Sequence, residues 1–459
     1  MPRDSDTAAR GNRSLRASRT SPAGHLGLAG LVAACALFAA VPGFSDLRGP
    51  PPATPHIATI AAEPSEIARL AATDSEVGRF YRSNGYRPLW SPDTAQAAMT
   101  ALANAAQDGL DPADYGIDRL RALAGDPGHA AEFEVALSLA YADFVRDLRT
   151  PPGAMTYVDA QVAPQRDPQA ILAAAAAAPL LPEHLAQTHR MHPLYEQLRA
   201  AVHAYRTSGA NPSGLPGASY EQLLFANMDR LRALPADPGS RYVLVDTASA
   251  RLWMYEHGRP VDTMRVVVGK ARLPTPSLAG LIRFTVRNPY WNLPPDLIRE
   301  RAARVVRDGT AVLEAEDLEV LSDWSDYALP LDPAGVDWPG VARGAVKLRM
   351  RQRPGPHNMM GAAKFMFPNR LGIYLHDTPE KAAFLHDDRR LSSGCVRLED
   401  AARFERWLFG GSAVKPIGLP EERFDLPTPV PVYILYLTAM PGGDGIAVHP
   451  DRYGLDRIV

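Results

Sequence analysis

The hydrophobic periodicity of the chain changes at Arg241, and this change divides the sequence into two structural classes. From about Ile67 to Leu234, apolar residues recur at spacings of three and four, which predicts helices. In the segment 130–149 these residues fall on one helical face. From Arg241 onward, short runs rich in Val, Leu, Tyr and Trp alternate with turn residues, which predicts strands. The expected fold class is α+β, a helical domain followed by a mostly β domain.

Turn residues and prolines set the expected boundaries of the elements. The helical domain is expected over 67–235 and the β domain over 240–459. The loop 207–219 leads directly into the last expected helix, which leaves no room for an additional module between the two domains. Besides the helix at 130–149, helices are expected at 171–179, 194–205 and 223–234, and strands within 241–270, at 281–286 and at 430–439.

Residues 1–45 are typical of an export signal or a membrane anchor. Five arginines precede an uncharged apolar run from Leu26 to Phe44. The run is close to the shortest length that spans a bilayer, so a cleaved signal and an uncleaved anchor are both open. Cys35 follows Val-Ala-Ala, which offers lipidation as a third interpretation. We expect an exported, periplasmic protein that an uncleaved segment would anchor to the inner membrane, with a Pro/Ala-rich linker over 46–66.

The composition argues against two classes of function. A formal net charge of −2 gives no footprint for nucleic acid, which is not expected as a partner. The sequence has no HExxH or CxxC motif, so a zinc site lacks its usual ligands. We expect no metal and no cofactor.

Cys395 is the only cysteine outside the N-terminal segment, so no intramolecular disulfide is expected. In an exported protein, a leftover cysteine indicates an intermolecular bridge or a reactive thiol, and a buried hydrophobe is the plain alternative. Cys395 lies in LSSGCVRLED, among turn-forming Ser393 and Gly394 and charged Arg397. These neighbours are unlike those of a packed core residue, which favours a reactive thiol.

A thiol with an ordinary pKa of about 8.5 needs a base to act as a nucleophile near neutral pH. The candidate bases are His357, His376 and His386. His376 ends the strand-like run LGIYL and opens the turn HDTP, which is a rigid mount for a catalytic side chain. His386 lies in the charged stretch FLHDDRR, and His357 follows a proline. This favours His376 as the base, with a solvated structural histidine as the alternative.

The order of these residues excludes other enzyme classes. In papain-like proteases the cysteine precedes the histidine, whereas here the histidine comes first, and no caspase sequence is present. A serine enzyme built on Ser392 or Ser393 would lack the GxSxG elbow.

The stretch HDTPEKAAFLHDDRRLSSGCVR resembles the signature of the L,D-transpeptidases, cysteine enzymes that cross-link peptidoglycan. In that signature a histidine, a spacer and [ST]-x-G-C-[VI]-R follow in this order. VLVDTASARLWMYEHGRPVDTMRVVVGK extends the resemblance upstream, and FYRSNGYRPLW and GLDPADYG resemble the helical scaffold domain of the large periplasmic branch. The resemblance covers most of the chain from about 75 to 456.

Two features depart from the family pattern. Many members have a histidine where this chain has Ser393, so His376 must be the base. Large-branch members also usually carry a small peptidoglycan-binding module between scaffold and catalytic sheet, for which this chain has no room. The sequence therefore offers no evident module that would bind the enzyme to the cell wall.

The resemblance implies a mechanism. The Cys395 thiolate would attack the carbonyl between diaminopimelate and the terminal D-alanine of a tetrapeptide stem. An amine of a second stem would resolve the thioester into a 3→3 cross-link, and His376 would carry protons in both steps. The backbone carbonyl of Asp377 would orient the imidazole, and the N–H groups of Gly394 and Cys395 would bind the oxyanion. Arg397 would bind a stem carboxylate or tie down the motif loop.

The remaining expectations are less specific. Ser393, Tyr374, Asn358 and Lys364 are candidate substrate-binding residues, although Tyr374 could belong to the core, and Asn358 and Lys364 could merely shape a loop. The segment 298–346 resembles a lid-like insertion, and Trp407 is expected to pack in a helix.

The resemblance also implies acylation by carbapenems, with stem peptides as the expected partners. A protein of the cell-wall synthesis machinery or the membrane anchor would localise the enzyme. Transfer of the acyl group to water or to a lipoprotein, giving a carboxypeptidase or an attaching enzyme, stays open. A non-catalytic wall-binding scaffold is the contrasting class.

Overall fold

The computed structural model describes residues 62–72, 75–442 and 445–456. The expected signal or anchor, Cys35 and most of the expected linker lie outside these residues. In the part of the chain that is described, no helix is both long and apolar enough to cross a membrane. The first helix begins at Pro64 and fully buries Ile67, so the folded body reaches into the segment expected to be linker.

The part of the chain before Arg241 is helical, as the apolar spacing predicts. Serines begin two of its helices, because the Ser75 side chain accepts the Gly78 N–H group and Ser91 forms a capping box with Thr94. The helix expected at 130–149 is present. The helices are α1 (Pro64–Leu70), α2 (Glu76–Ser83), α3 (Pro92–Ala103), α4 (Ile117–Ala124), α5 (Ala130–Leu148), α6 (Pro168–Ala177), α7 (Leu181–Thr188), α8 (Pro193–Ser208) and α9 (Gly217–Leu231).

The part after Arg241 is built on a twisted sheet that closes on itself. Its path runs β1-β5-β13-β2-β3-β4-β12-β10-β9, and β9 pairs with β5 as well as with β10. A short strand, β11, pairs with β4 off this path. These strands are β1 (Thr156–Tyr157), β2 (Arg241–Asp246), β3 (Arg251–Glu256), β4 (Arg259–Gly269), β5 (Leu278–Arg287), β9 (Ala363–Met366), β10 (Leu375–His376), β11 (Arg390–Ser392), β12 (Val396–Leu398) and β13 (Glu422–Leu435). The two-stranded sheet β14 (Ala439–Gly442) and β15 (Gly445–Val448) follows.

The turns expected between the first strands are present. β2 and β3 are joined by residues 247–250, and β3 and β4 by His257-Gly258. Both turn residues have positive φ, +49° and +74°, as a two-residue hairpin of this kind requires. The strands expected near 281–286 and 430–439 correspond to β5 and β13, both of which are longer than predicted.

The two faces of the sheet contribute to different apolar cores. One face packs on the helix α13 (Ala401–Leu408), where Phe404 and Phe365 meet edge to face. Trp407 stacks on Phe404 in the same helix, so it packs as expected. The other face, through Tyr242 and Tyr433, joins the core of the helical part. The helical and β parts therefore share one continuous core.

Polar contacts reinforce this junction. His192, at the start of α8, lies 2.8 Å from the Tyr242 hydroxyl in β2, measured from Nε2. β1 belongs to the helical part by sequence but pairs in parallel with β5 of the sheet. Between α8 and β2 the described chain holds only a loop and α9, so no further folded module lies there.

A small subdomain interrupts the chain between β5 and β9. It contains the helices α10 (Pro295–Asp308), α11 (Ala311–Ala315) and α12 (Trp338–Ala342). It also contains the three-stranded sheet β6-β8-β7, with β6 at Trp291–Asn292, β7 at Leu318–Leu321 and β8 at Arg349–Gln352. It has its own apolar cluster, around Ile298, Leu313 and Met350. The subdomain thus runs from about residue 291 to 352, wider than the lid-like segment expected over 298–346, and is called the insertion below.

Candidate active site

His376 ends the strand β10, and Cys395 directly precedes the neighbouring strand β12. β10 and β12 run in parallel, with Leu375 opposite Val396 and His376 opposite Arg397. The Val396 N–H group donates to the carbonyl oxygen of Tyr374 at 3.2 Å, which extends the alignment by one residue toward Cys395. Leu375 and Val396 are fully buried in the core. Because side chains alternate along a strand, His376 and Cys395 point away from that core, to the same side of the sheet.

The imidazole of His376 is held in one tautomer. The side chain is 2% exposed, and its Nδ1 lies 2.5 Å from the backbone carbonyl oxygen of Asp377. A carbonyl oxygen can only accept a hydrogen bond, so Nδ1 carries the proton and Nε2 has the free lone pair. Burial, followed by the charge of Arg397, lowers the pKa of His376 to about 3, even though the Asp377 carbonyl acts in the opposite direction. The imidazole is therefore neutral at pH 7, and Nε2 can accept a proton.

The thiol of Cys395 is also neutral in this structure. Its Sγ donates to the carbonyl oxygen of Gly372 at 3.6 Å. Burial raises the pKa of the thiol, while a backbone hydrogen bond from Tyr374 and the charge of Arg397 act in the opposite direction. The site thus holds a protonated thiol and a neutral base, so the proton would pass from the thiol to the imidazole only as the thiol attacks.

A set of short hydrogen bonds fixes the turn that carries the thiol. The Ser392 hydroxyl donates to the carbonyl oxygen of Cys395 at 2.6 Å and accepts the Gly394 N–H group at 3.1 Å. The Thr275 hydroxyl donates to the carbonyl oxygen of Gly394 at 2.7 Å and accepts the Gly269 N–H group at 2.8 Å. The sequence prediction missed Ser392 and Thr275 in this role. Ser392 could have been found from its place in the motif, but Thr275 is distant in sequence and gives no local signal.

Gly394 has a backbone conformation that other residues rarely adopt, with φ of +119°. Its N–H group was expected to bind an oxyanion together with that of Cys395. In the structure the Gly394 N–H group donates to the Ser392 hydroxyl, so this hydrogen bond would have to break before the group could bind an oxyanion. Within the described residues, no acceptor binds the Cys395 N–H group. This group is the one available to an oxyanion.

The Asp377 carboxylate organises loops and does not contact the imidazole. One oxygen accepts the Ala362 N–H group at 2.9 Å, and the other accepts Lys381 Nζ at 2.7 Å. Gly361 has φ of +61°, and a Cβ atom built there would lie 2.5 Å from this carboxylate. Glycine at 361 therefore allows the loop to approach Asp377. Sequence inspection gave no sign of this contact.

Arg397 forms an ion pair with Glu380 at the start of the segment between the histidine and the cysteine. This contact favours the second of the two expected roles, tying down the motif loop. Ser393 is exposed next to the thiol and makes no side-chain hydrogen bond within the described part of the chain.

Of the three remaining candidate substrate-binding residues, one lies beside His376 and two are held by other partners. Tyr374 lies at the site, with its ring 5.8 Å from that of His376. Lys364 lies opposite His376 on β9, but its ammonium pairs with Glu421 at 3.0 Å. Asn358 is 1% exposed and donates to the carbonyl oxygens of Pro289, Gln352 and Arg353, so it shapes the loop and is not brought to the site.

The other two candidate bases lie outside the site. His357 and His386 are exposed. The peptide carbonyl of His386 accepts a hydrogen bond from Arg389, and that of His357 accepts one from Gln352. Over the residues described, no group of three or more His, Cys, Asp or Glu side chains is arranged to hold a metal ion.

Comparisons with known proteins agree with this architecture. Residues 75–202 match the Scaffold domain family, and residues 240–434 match the L,D-transpeptidase catalytic domain family. A Haemophilus influenzae protein whose name assigns it to the L,D-transpeptidases is 26% identical over 396 residues, which cover 83% of this chain and 78% of that protein. The helical Scaffold match and the catalytic match correspond to the two parts of the fold.

Two solved structures also show similarity, over about half of their own lengths. The Ldtfm–avibactam carbamoyl enzyme is 14% identical, with 44% of this chain and 51% of that chain covered, at a TM-score of 0.20. A cysteine-to-serine mutant of the Enterococcus faecium L,D-transpeptidase is 13% identical, with 44% and 52% covered, at a TM-score of 0.23. TM-scores this low do not establish a shared fold. On the family matches, the chain carries an L,D-transpeptidase catalytic domain over residues 240–434, preceded by a Scaffold domain over residues 75–202.

Proposed function

We propose that the protein cross-links peptidoglycan, forming 3→3 bonds between stem peptides through a thioester on Cys395. The observation that carries this proposal is the geometry of His376 and Cys395. His376 in β10 and Cys395, directly before the paired strand β12, face the same side of the sheet, and the imidazole presents Nε2 because Nδ1 is bound to the Asp377 carbonyl. A nucleophile and an oriented base are the minimum for acyl transfer through a covalent intermediate.

In the first step, Cys395 Sγ attacks the carbonyl carbon between diaminopimelate and the terminal D-alanine of a donor stem. The thiol proton moves to His376 Nε2 as the S–C bond forms, so no free thiolate has to accumulate. The Cys395 N–H group donates to the oxyanion. The C–N bond then breaks, the D-alanine nitrogen takes the proton from Nε2 and leaves, and the thioester remains.

In the second step, the side-chain amine of an acceptor stem attacks the thioester carbonyl. His376 takes a proton from the attacking amine and returns it to the sulfur as the C–S bond breaks. The products are the cross-linked dimer and free enzyme, so the cycle needs neither a cofactor nor an energy source. Water in place of the amine would give a tripeptide, and a protein amine would give an attached protein.

Incubation of the purified protein with disaccharide tetrapeptide, followed by analysis of the products, tests the proposal. We expect a 3→3 dimer together with free D-alanine. Tripeptide alone would identify a carboxypeptidase. An unchanged substrate would contradict an enzymatic role on stem peptides.

The cellular setting is part of the proposal. We infer export to the periplasm from the basic and apolar residues 1–45, because peptidoglycan lies outside the cytoplasm. An uncleaved segment, or a partner protein of the cell-wall synthesis machinery, would then hold the enzyme near its substrate. Fractionation of cells that express the full chain, with and without residues 1–45, tests this assignment.

A further inference from the structure

A cavity of about 290 Å³ opens between the insertion and the edge of the catalytic sheet. Five of its lining side chains are charged or aromatic, namely those of Tyr290, Asp326, Arg349, Arg351 and Glu421. The mechanism described above uses none of them. Because few apolar side chains line this cavity, it is better suited to a charged group of a ligand than to an apolar one.

The cavity is connected to the catalytic residues through one ion pair. Both carboxylate oxygens of Glu421 lie 3.0 Å from Lys364 Nζ, and one of them accepts the Tyr290 N–H group at 2.7 Å. Lys364 stands directly opposite His376 on the neighbouring antiparallel strand. Residues paired in this way have Cβ atoms about 5 Å apart. Glu421, at the rim of the cavity, is thus linked through the Lys364 side chain to the strand position opposite His376.

The two arginines of the cavity differ in their partners. Alternation along β8 buries Met350 in the insertion and turns Arg349 and Arg351 toward the cavity. Arg351 is paired with Glu319 and its guanidinium lies 3.7 Å from the centre of the Tyr290 ring. Arg349 is bound by uncharged acceptors, including the Ser325 carbonyl oxygen at 2.8 Å.

Two charged side chains that form no ion pair therefore line the cavity. Within the described part of the chain, neither Arg349 nor Asp326 forms an ion pair, and the only carboxylate on which the charge of Arg349 acts is that of Asp323. A cation and an anion without ion-pair partners are complementary to a zwitterion, in which a carboxylate and an ammonium group are joined to the same carbon.

The backbone at the rim is strained in a way that holds Glu421 in place. Glu421 and Asn288 have φ of +55° and +48°, and the Glu421 N–H group donates to the Asn288 carbonyl oxygen at 2.9 Å. Non-glycine residues in this region are sparse and cluster at functional sites. This conformation keeps the Lys364–Glu421 pair between the cavity and the catalytic strands.

We propose that this cavity binds the free amino-acid end of the diaminopimelate side chain of the donor stem. Arg349 binds its carboxylate and Asp326 binds its ammonium group. The assignment rests on the proposed function and adds to it a determinant of substrate choice. The donor is the occupant because an acceptor amine has to reach the thioester unprotonated, and so cannot stay bound as an ammonium ion in the cavity.

A donor-exchange assay with the purified full-length protein tests the proposal. Tetrapeptide donors with diaminopimelate or lysine at the third position are mixed with a free D-amino acid, which replaces the terminal D-alanine. Lysine keeps the side-chain ammonium and lacks the carboxylate, so the ratio of kcat/KM for the two donors reports binding of that carboxylate. We expect the wild-type protein to prefer diaminopimelate by roughly ten- to hundredfold, as a charge-assisted contact allows.

Arg349→Gln should reduce this preference toward one, mainly through KM of the diaminopimelate donor. Arg353→Gln is the matched control, because Arg353 lies just beyond β8, is exposed and pairs with Asp317. Its preference should equal that of the wild type. Asp326→Asn should raise KM for both donors, since both carry the ammonium group.

Three results would overturn the inference. A wild-type preference near one, or a preference that Arg349→Gln leaves intact, would remove the cavity from donor recognition while exchange itself still supported the proposed function. Absence of exchange with either donor, together with absence of acylation by a carbapenem in intact-protein mass spectrometry, would overturn the proposed function and this assignment with it.

Discussion

The Nδ1 atom of His376 lies 2.5 Å from the carbonyl oxygen of Asp377, the next residue in the chain. Because the acceptor is a backbone atom, the orientation of the base does not depend on which side chain follows it. The Asp377 carboxylate is instead engaged with Ala362 and Lys381. The backbone carbonyl of Asp377 therefore orients the base, whereas its carboxylate holds the neighbouring loops.

Asp377→Asn should therefore have a small effect on turnover. The substitution keeps the carbonyl and weakens the contact with Lys381, whose side chain is half exposed, so we expect less than a tenfold loss in kcat/KM. His376→Ala should lower the rate by about 10²–10⁴, the range of general acid–base catalysis. Donor-exchange rates of the two variants, measured side by side, check this order. Equal losses would mean that the carboxylate takes part in the chemistry.

Gly361→Ala should damage the site more than substitution of a glycine with a similar φ and open surroundings. A Cβ atom at 361 would lie 2.5 Å from the Asp377 carboxylate, so the loop and the residue that orients His376 must move apart. Gly410→Ala is the control, since Gly410 has a similar φ of +65° and no heavy atom within 4 Å of the added Cβ. Both variants should lose about 1 kcal/mol of stability from backbone strain. Only Gly361→Ala should lose acylation rate, and parallel losses would contradict the contact.

Arg397→Gln should shift the acid limb of the acylation rate to higher pH. Burial, together with the charge of Arg397, lowers the pKa of His376 from its ordinary value of about 6.5 to about 3, so the imidazole stays neutral well into the acidic range. Removing the charge raises the pKa of His376, and the base is then lost at a less acidic pH. Carbapenem acylation rates across the acidic range measure the limb. Arg423→Gln, an exposed arginine paired with Asp425, is the control; a limb common to all three proteins would argue against the influence of Arg397.

The junction between the helical part and the sheet should weaken in acid through His192. This side chain is 1% exposed, and burial lowers its pKa to about 3, so the folded state keeps it neutral while the unfolded state binds a proton below about 6.5. Its contribution is present above that value and is lost as the pH falls toward about 3, with a slope of at most about 1.4 kcal/mol per pH unit.

Denaturant unfolding of His192→Gln at several pH values checks this. The variant should be less stable than the wild type near neutral pH and should show a shallower decline in acid. His386→Gln, at an exposed histidine, should keep the wild-type slope. An unchanged slope in His192→Gln would show that another group is responsible.

The sequence was sufficient for features that local pattern determines. The change of period at Arg241 predicts the order of helices and strands, and the motif predicts His376 and Cys395 as the catalytic pair, which stays a prediction. Features that depend on distant pairing could not be predicted. Nothing near Thr275 indicates that it supports the cysteine turn, and nothing near Lys364 indicates that Glu421 would pair with it. The two roles open to Asn358 could not be separated from the sequence, because its carbonyl partners Pro289 and Arg353 belong to separate segments.

The most direct test of the central claim is intact-protein mass spectrometry after brief exposure to a tetrapeptide donor, without an acceptor. The wild-type protein should gain the mass of the donor less D-alanine, and peptide mapping should locate the adduct on Cys395. Cys395→Ala should gain nothing, His376→Ala should gain it slowly, and His386→Ala should match the wild type. An adduct on another residue, an adduct that persists in Cys395→Ala, or a defect in His386→Ala in place of His376→Ala would contradict the assigned nucleophile and base.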